Sequence, residues 1–443
     1  MNPVAQTRLA DNKIETALAA AVQRYTQDNP ASAERHQAAK ASMPGGNTRA
    51  VMWYAPFPLA LAGGEGCRVT DLDEHEYLDL VCEYGAGFYG HSNPLIAAAL
   101  NEVIRDGVLL GAPNQYEARY AAALCARFPA LKRVRFCNSG TEANIMALST
   151  ARAITGRDRI LVFRDGYHGG VLTFAHGGSP LNLPFPYIFA DYNDIAGSEA
   201  LIREHARELA AVIVEPMMGG GGCIPASHEF LLMLRQATQE TGSLLIFDEV
   251  ITSRLAYSGL HGEHAIIPDL LTMGKYLGGG ASFGCFGGGV EVMERFDPAS
   301  TRAFSHGGTF NNNVLSMAAG LCGLTRVLTE AESLRINALG DQLRTTLNQR
   351  LAGLQLAATV LGRGSVMNLH FSAGPIETPA QLGHADARLL QLWQLEMLHR
   401  GQFVTPRGMI VLSLPFTQAE VDQFVAAFDD FLDANISLLQ RRS

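Results

Sequence analysis

Lys275 closes the run Asp269-Leu-Leu-Thr-Met-Gly-Lys275 and stands just before Gly278-Gly-Gly280. An amine walled in by apolar residues, with no fixed anion, has a lowered pKa and becomes a usable nucleophile and base. A surface lysine in a glycine-rich loop fits the same letters. Asp248 closes a second apolar run, Leu244-Leu-Ile-Phe247. A carboxylate at the mouth of a buried strand needs a cation or several hydrogen bonds. Asn138-Ser-Gly-Thr-Glu142 is a small polar turn that can open a helix. Its free amides and the helix dipole suit a phosphate, while a plain N-cap by Ser139 or Thr141 accounts for it equally. Tyr167 lies among Gly166, Gly169 and Gly170, where an aromatic ring can lie flat on a planar ligand. Arg49 follows the turn Pro44-Gly-Gly46. Its guanidinium suits capture of a carboxylate, or it is a solvated loop charge. Glu83-Tyr84-Gly85-Ala-Gly-Phe-Tyr-Gly-His91 walls a cavity or packs as an aromatic loop.

These residues need elements to present them. Short apolar runs predict strands at 133–137, 159–163, 211–215, 244–248 and 269–273, with helices at 116–127, 141–155 and 228–240. Alternation of this kind predicts an α/β fold with a mainly parallel central sheet covered on both faces by helices. Ligands then sit at the C-terminal strand ends, where Ser139, Tyr167, Glu215, Asp248 and Lys275 all fall. Upstream, helices are expected at 12–27, capped by Asn12, and at 31–42, then hairpin strands over 66–82 turning at Asp71–His75. Downstream, a smaller α+β domain is expected. Leu339, Leu343, Leu347 and Leu351 mark one helix face. Strands follow near 366–371, 402–405 and 409–414, with a helix at 384–400 between them. Thr417 and Glu420 form a capping box for the last helix.

The 443 residues suit two domains, and the net charge of −9 implies no nucleic-acid surface. No signal-peptide core and no apolar stretch of about 18 residues is visible, so no membrane partner is expected. Seven cysteines without a Cys-x-x-Cys pair read as buried thiols in a reducing compartment, hence a cytoplasmic protein. His261-Gly-Glu-His264 lacks zinc spacing and reads as a solvated turn, so no metal is expected.

A phosphate turn, a stacking aromatic, a buried carboxylate and a buried lysine on successive strand ends suit pyridoxal 5'-phosphate. A Walker lysine fits poorly, since Tyr276 follows Lys275 and Asp269 stands where a glycine would be needed. A dinucleotide fold also fails, for want of Gly-x-Gly-x-x-Gly after the first strand.

The motifs Asn138-Ser-Gly-Thr-Glu-Ala143, Gly166-Tyr-His-Gly169, Asp248-Glu-Val250, Thr272-Met-Gly-Lys275 and Gly307-Gly-Thr-Phe310 resemble the class III aminotransferases. Pro44–Arg49, His306–Asn313 and Pro406–Pro415 are similar to the glutamate-1-semialdehyde aminomutase-like branch, and within it to aminotransferases of β-amino acids such as β-phenylalanine. The resemblance implies a fold-type I homodimer with active sites at the interface. It implies a large cofactor domain over 61–325 and a small domain from 1–60 with 326–443. By position, Lys275 is the Schiff-base lysine and Asp248 pairs with the pyridine nitrogen. Ser139, Gly140 and Thr141 hold the phosphate, Thr309 reaches it from the partner subunit, and Tyr167 and Val250 flank the ring. Arg49 and Arg407 take the carboxylates of the amino donor and the keto-acid acceptor, and Tyr84 lines the substrate pocket. The implied reaction is ping-pong transfer to a keto acid such as 2-oxoglutarate. An aminomutase, or a transaminase of another amine or ω-amino acid, is the alternative. In the run Glu215-Pro-Met-Met-Gly-Gly-Gly-Gly222, Met218 replaces a polar residue usual in the family, and four glycines are expected to loosen that wall.

Overall fold

Seven strands build the central sheet of the computed structural model, which describes residues 3–382 and 386–440. In chain order they are β1 (Arg133–Cys137), β2 (Arg159–Phe163), β3 (Tyr187–Ala190), β4 (Leu209–Val214), β5 (Leu244–Asp248), β6 (Leu270–Gly274) and β7 (Gly284–Gly288). They lie in the order β1-β7-β6-β5-β4-β2-β3. Pairing is parallel from β6 through β5, β4 and β2 to β3. β7 runs antiparallel between β6 and β1. Every residue of β4 and β6 is buried, as expected of strands covered on both faces.

Two strands differ from the sequence expectation. β3 is a four-residue edge strand, too short to stand out. β7 is Gly-Cys-Phe-Gly-Gly, a composition that argues against a strand. Its glycines are there for close approach: a Cβ on Gly284 would overlap the Ser139 carbonyl, and one on Gly288 the Asp269 carbonyl. The fold thus uses glycine to seat a strand between β1 and β6.

Leu61–Glu65, Arg68–Asp71 and Glu76–Asp79 form an antiparallel ladder, and Gln402–Phe403 joins it in parallel. The Asp71 carboxylate closes the hairpin turn by accepting from the amides of Asp73 and His75, both at 2.9 Å. A third sheet comprises Thr359–Arg363, Val366–His370 and Met409–Val411. Helix Glu330–Gly353 buries Leu339, Leu343, Leu347 and Leu351, as their spacing predicts. The last helix, Gln418–Leu439, starts at the expected Thr417–Glu420 capping box.

The first helix runs from Pro3 to Asp28, so Asn12 lies inside it rather than capping it. Nothing in residues 4–11 breaks a helix. Helix Pro94–Asp106, with Asn93 as its cap, escaped the sequence reading. The helix expected at 384–400 is observed over Ala387–His399, and its first expected positions lie outside the described residues. His261 is fully buried in helix Gly259–His264, not in a solvated turn. Its Nδ1 lies 2.6 Å from the buried Glu249 carboxylate, which explains how a polar ring sits there. The seven cysteines are free thiols. Among the described residues no single helix is long and apolar enough to cross a membrane.

Candidate active site

β5 ends at Asp248, which is 4% exposed. Its Oδ2 accepts from Asn144 Nδ2 at 2.7 Å and lies 2.8 Å from His168 Nδ1. Its Oδ1 accepts from the Val250 amide at 3.0 Å. Asn144 also donates to the His168 carbonyl at 2.9 Å and accepts from the Thr272 hydroxyl. The carboxylate is therefore held by donors from three segments, as a buried charge requires. Asn144, His168 and Thr272 were given no role by the sequence reading. The available signal was a polar Asn144 within an otherwise apolar stretch of helix, and a histidine inside the Gly166–Gly169 motif.

Register carries Lys275 to the same place. Asp248 pairs with Thr272 across β5 and β6, and Lys275 leaves β6 three residues later. Its φ is +54°, a left-handed conformation uncommon for a residue with a side chain. Burial lowers its amine from 10.5 to about 8. Arg49 pushes the same way, while Asp248 and Glu215 oppose. Glu215 follows β4 and is likewise buried. It accepts from the Tyr167 amide at 3.1 Å and the Gly219 amide at 2.9 Å. Burial raises its carboxyl to about 7, against the charge of His168 and with that of Asp248.

In the turn after β1 the N-cap reading is the one observed. Ser139 is the N-cap of helix Gly140–Thr155, its hydroxyl accepting from the Glu142 amide at 3.1 Å. The amides of Gly140 and Thr141 occupy the first two helical positions, where the helix offers no acceptor. A Cβ on Gly140 would sit 2.7 Å from a Val250 methyl, and one on Gly274 would sit 3.3 Å from the Gly140 amide nitrogen. Bare backbone is thus packed between Val250 and the end of β6. Tyr167 is 42% exposed. The four-glycine wall is tight rather than loose. A Cβ on Gly220 would lie 3.1 Å from Tyr167, on Gly221 3.2 Å from Met218 sulfur, and on Gly222 2.8 Å from His370.

The open side holds the substrate candidates. Arg49 is ion-paired with Glu83, both about half exposed, and lies 6.0 Å from the Tyr84 ring centre. The Tyr84 hydroxyl donates to the Val51 carbonyl at 3.1 Å. Burial raises the phenols of Tyr84 and Tyr167, and the charges of Arg407 and Arg49 oppose this at both rings. Both arginines are thus within electrostatic reach of both rings. Glu83–His91 packs as an aromatic loop: it opens with a left-handed turn, and Phe88 and Tyr89 are buried. Thr309 is exposed, and its segment joins the phosphate-type turn through Asn311, which accepts from Asn138 at 3.0 Å. No hydrogen bond links Thr309 to Lys275 or Asp248 among the described residues.

An acceptor-only carboxylate, an amine lowered by burial and a row of free amides match the ring nitrogen, aldehyde and phosphate of pyridoxal phosphate. Comparison with known proteins points the same way. The family model of class-III aminotransferases matches residues 50–431. The chain is 47% identical to the β-phenylalanine transaminase of Variovorax paradoxus over 97% of this chain and 98% of that one. The crystal structure of a β-phenylalanine aminotransferase from the same organism superposes with a TM-score of 0.95 at 46% identity, covering 97% of this chain and 100% of that one. The glutamate-1-semialdehyde 2,1-aminomutase of Methanocella arvoryzae is 33% identical over 89% of this chain and 97% of its own.

Proposed function

The chain belongs to the class III aminotransferases, which are pyridoxal-phosphate-dependent enzymes of fold type I, and from that premise we propose that it moves the amino group of an aromatic β-amino acid to a keto acid such as 2-oxoglutarate. The observation that carries this reading is one buried centre with two arginines, Arg49 and Arg407, whose charges both reach Tyr84 and Tyr167. A donor and an acceptor each bring a carboxylate, and they place it at different distances from the reacting carbon.

In this reading Gly140 and Thr141 hold the cofactor's phosphate with their amides, and the Ser139 cap fixes the turn. Thr309 reaches the phosphate across a homodimer interface. Asp248 would hold the ring nitrogen and keep it protonated, and Tyr167 and Val250 would hold the ring. The bound cofactor supplies the electron sink that acidifies the carbon bearing the amine. Lys275 Nζ would hold the cofactor covalently, and its amine, when free, would be the base that accepts the proton from that carbon. Such positioned proton transfer is worth ~10²–10⁴-fold. Arg49 holds the carboxylate of the β-amino acid, Arg407 the far carboxylate of the acceptor, and Tyr84 closes the pocket. The enzyme acts in the cytoplasm.

The test is the visible spectrum of the holoenzyme with β-phenylalanine in the absence of keto acid. Loss of the cofactor band, restored by 2-oxoglutarate, is expected. A band restored without any keto acid would favour the aminomutase reading. A band indifferent to β-phenylalanine but responsive to another amine would overturn the substrate.

A further inference from the structure

Cys82, Glu83 and Tyr84 have φ values of 47°, 49° and 52°, and Gly85 follows at 95°. Three consecutive residues with side chains in the left-handed region are disfavoured by the Cβ–carbonyl contact, so the surroundings must impose the conformation. The buried Asp79 fixes the start of the turn. Its Oδ1 accepts from the amides of Val81 and Cys82, both at 2.9 Å, and its Oδ2 lies 2.8 Å from His91 Nε2. The turn abuts the reaction centre, since a Cβ on Gly85 would sit 3.7 Å from Lys275 Cδ. It is also tied to the Arg49 segment through Tyr84 and Val51.

This strained turn presents Glu83 to Arg49. Arg407 makes no ion pair among the described residues, so the two arginines whose charges reach Tyr84 and Tyr167 are treated differently. We propose that Glu83 is a selectivity residue. It serves Arg49 as an internal carboxylate, and the carboxylate of the β-amino acid displaces it on binding. Recognition is then an exchange of one carboxylate for another. A ligand without a carboxylate cannot release Arg49 and meets the closed pair, a built-in penalty against neutral competitors. The inference rests on Arg49 being the donor's carboxylate receptor.

Inhibition of the holoenzyme by 3-phenylpropionate, a carboxylate without the amine, reads this directly. Its neutral amide, 3-phenylpropanamide, is the control. Removing the internal competitor in Glu83→Gln is expected to lower the Ki of 3-phenylpropionate about two- to fivefold, the range of a half-exposed ion pair, without changing that of the amide. Arg49→Gln should raise the Ki of 3-phenylpropionate about tenfold or more, and Glu83→Gln should then have no effect in the Arg49→Gln background. A Ki that is unchanged or raised in Glu83→Gln, while Arg49→Gln raises it, overturns the role of Glu83. Equal gains for the acid and the amide also overturn it, since space rather than charge would be responsible. If Arg49→Gln itself leaves the Ki unchanged, the reading of Arg49 has failed instead.

Discussion

Asp248 and Arg49 are charged side chains of one site, held in opposite ways. Asp248 is 4% exposed and its oxygens meet Asn144, His168 and the Val250 amide. Arg49 is about half exposed and is ion-paired with Glu83, itself on a strained turn. A buried charge with several fixed partners cannot rearrange without leaving one of them unsatisfied, which costs ~1–3 kcal/mol for each group stranded. A half-exposed pair exchanges partners readily, because water and ligands compete for it. The floor of the site is thus suited to holding one cofactor in one pose. The rim, in the proposed reading, takes two different substrates in turn.

Substitutions can break that contrast. The largest effect is expected from Lys275→Ala, which removes the amine proposed to move the proton; single-turnover rates with β-phenylalanine should fall ~10²–10⁴-fold. A rate near wild type would remove Lys275 from the mechanism. Asn144→Ala tests the floor without touching the reacting atoms. It strands the Thr272 hydroxyl and one Asp248 contact, so melting should report a loss of ~1–3 kcal/mol. Loss of cofactor affinity should accompany it, whereas Arg49→Gln should leave melting nearly unchanged. Equal destabilisation by both would erase the distinction between floor and rim.

The smallest and most diagnostic effect is in pH. The Lys275 amine is lowered to about 8 in the folded chain, against 10.5 ordinarily. Below pH 8 the folded chain holds it protonated at the full cost of burial; that cost is relieved as pH rises from 8 to 10.5, because the unfolded chain then still binds the proton. Cofactor capture by the apoenzyme needs the neutral amine. Its rate should therefore climb with pH and level off near 8. Levelling near 10.5 would mean that the amine is hydrated rather than buried.

The strand-end residues were legible in sequence because a parallel sheet delivers its C-terminal ends to one edge, so Ser139, Asp248 and Lys275 could be read from short apolar runs alone. What holds them was not legible. Asn144 reads as helix filler until β5 and β6 are side by side. β7 was hidden because glycine signals a loop in sequence, while here it permits backbone contact with Ser139 and Asp269. The Arg49–Glu83 pair was invisible for a different reason. It depends on a left-handed turn through three residues with side chains, which local preference argues against.

The Asp248 network also says something about when this protein becomes itself. Asn144 meets Asp248 across 104 residues and Thr272 across 128, and His168 meets Asp248 across 80. Contacts of such long range form only after the intervening chain has been collected. No fragment that stops short of β6 contains the complete cradle, so a ligand of that cradle favours chains folded through β6 over shorter ones. Occupancy of that cradle is therefore expected to mark chains folded at least through β6.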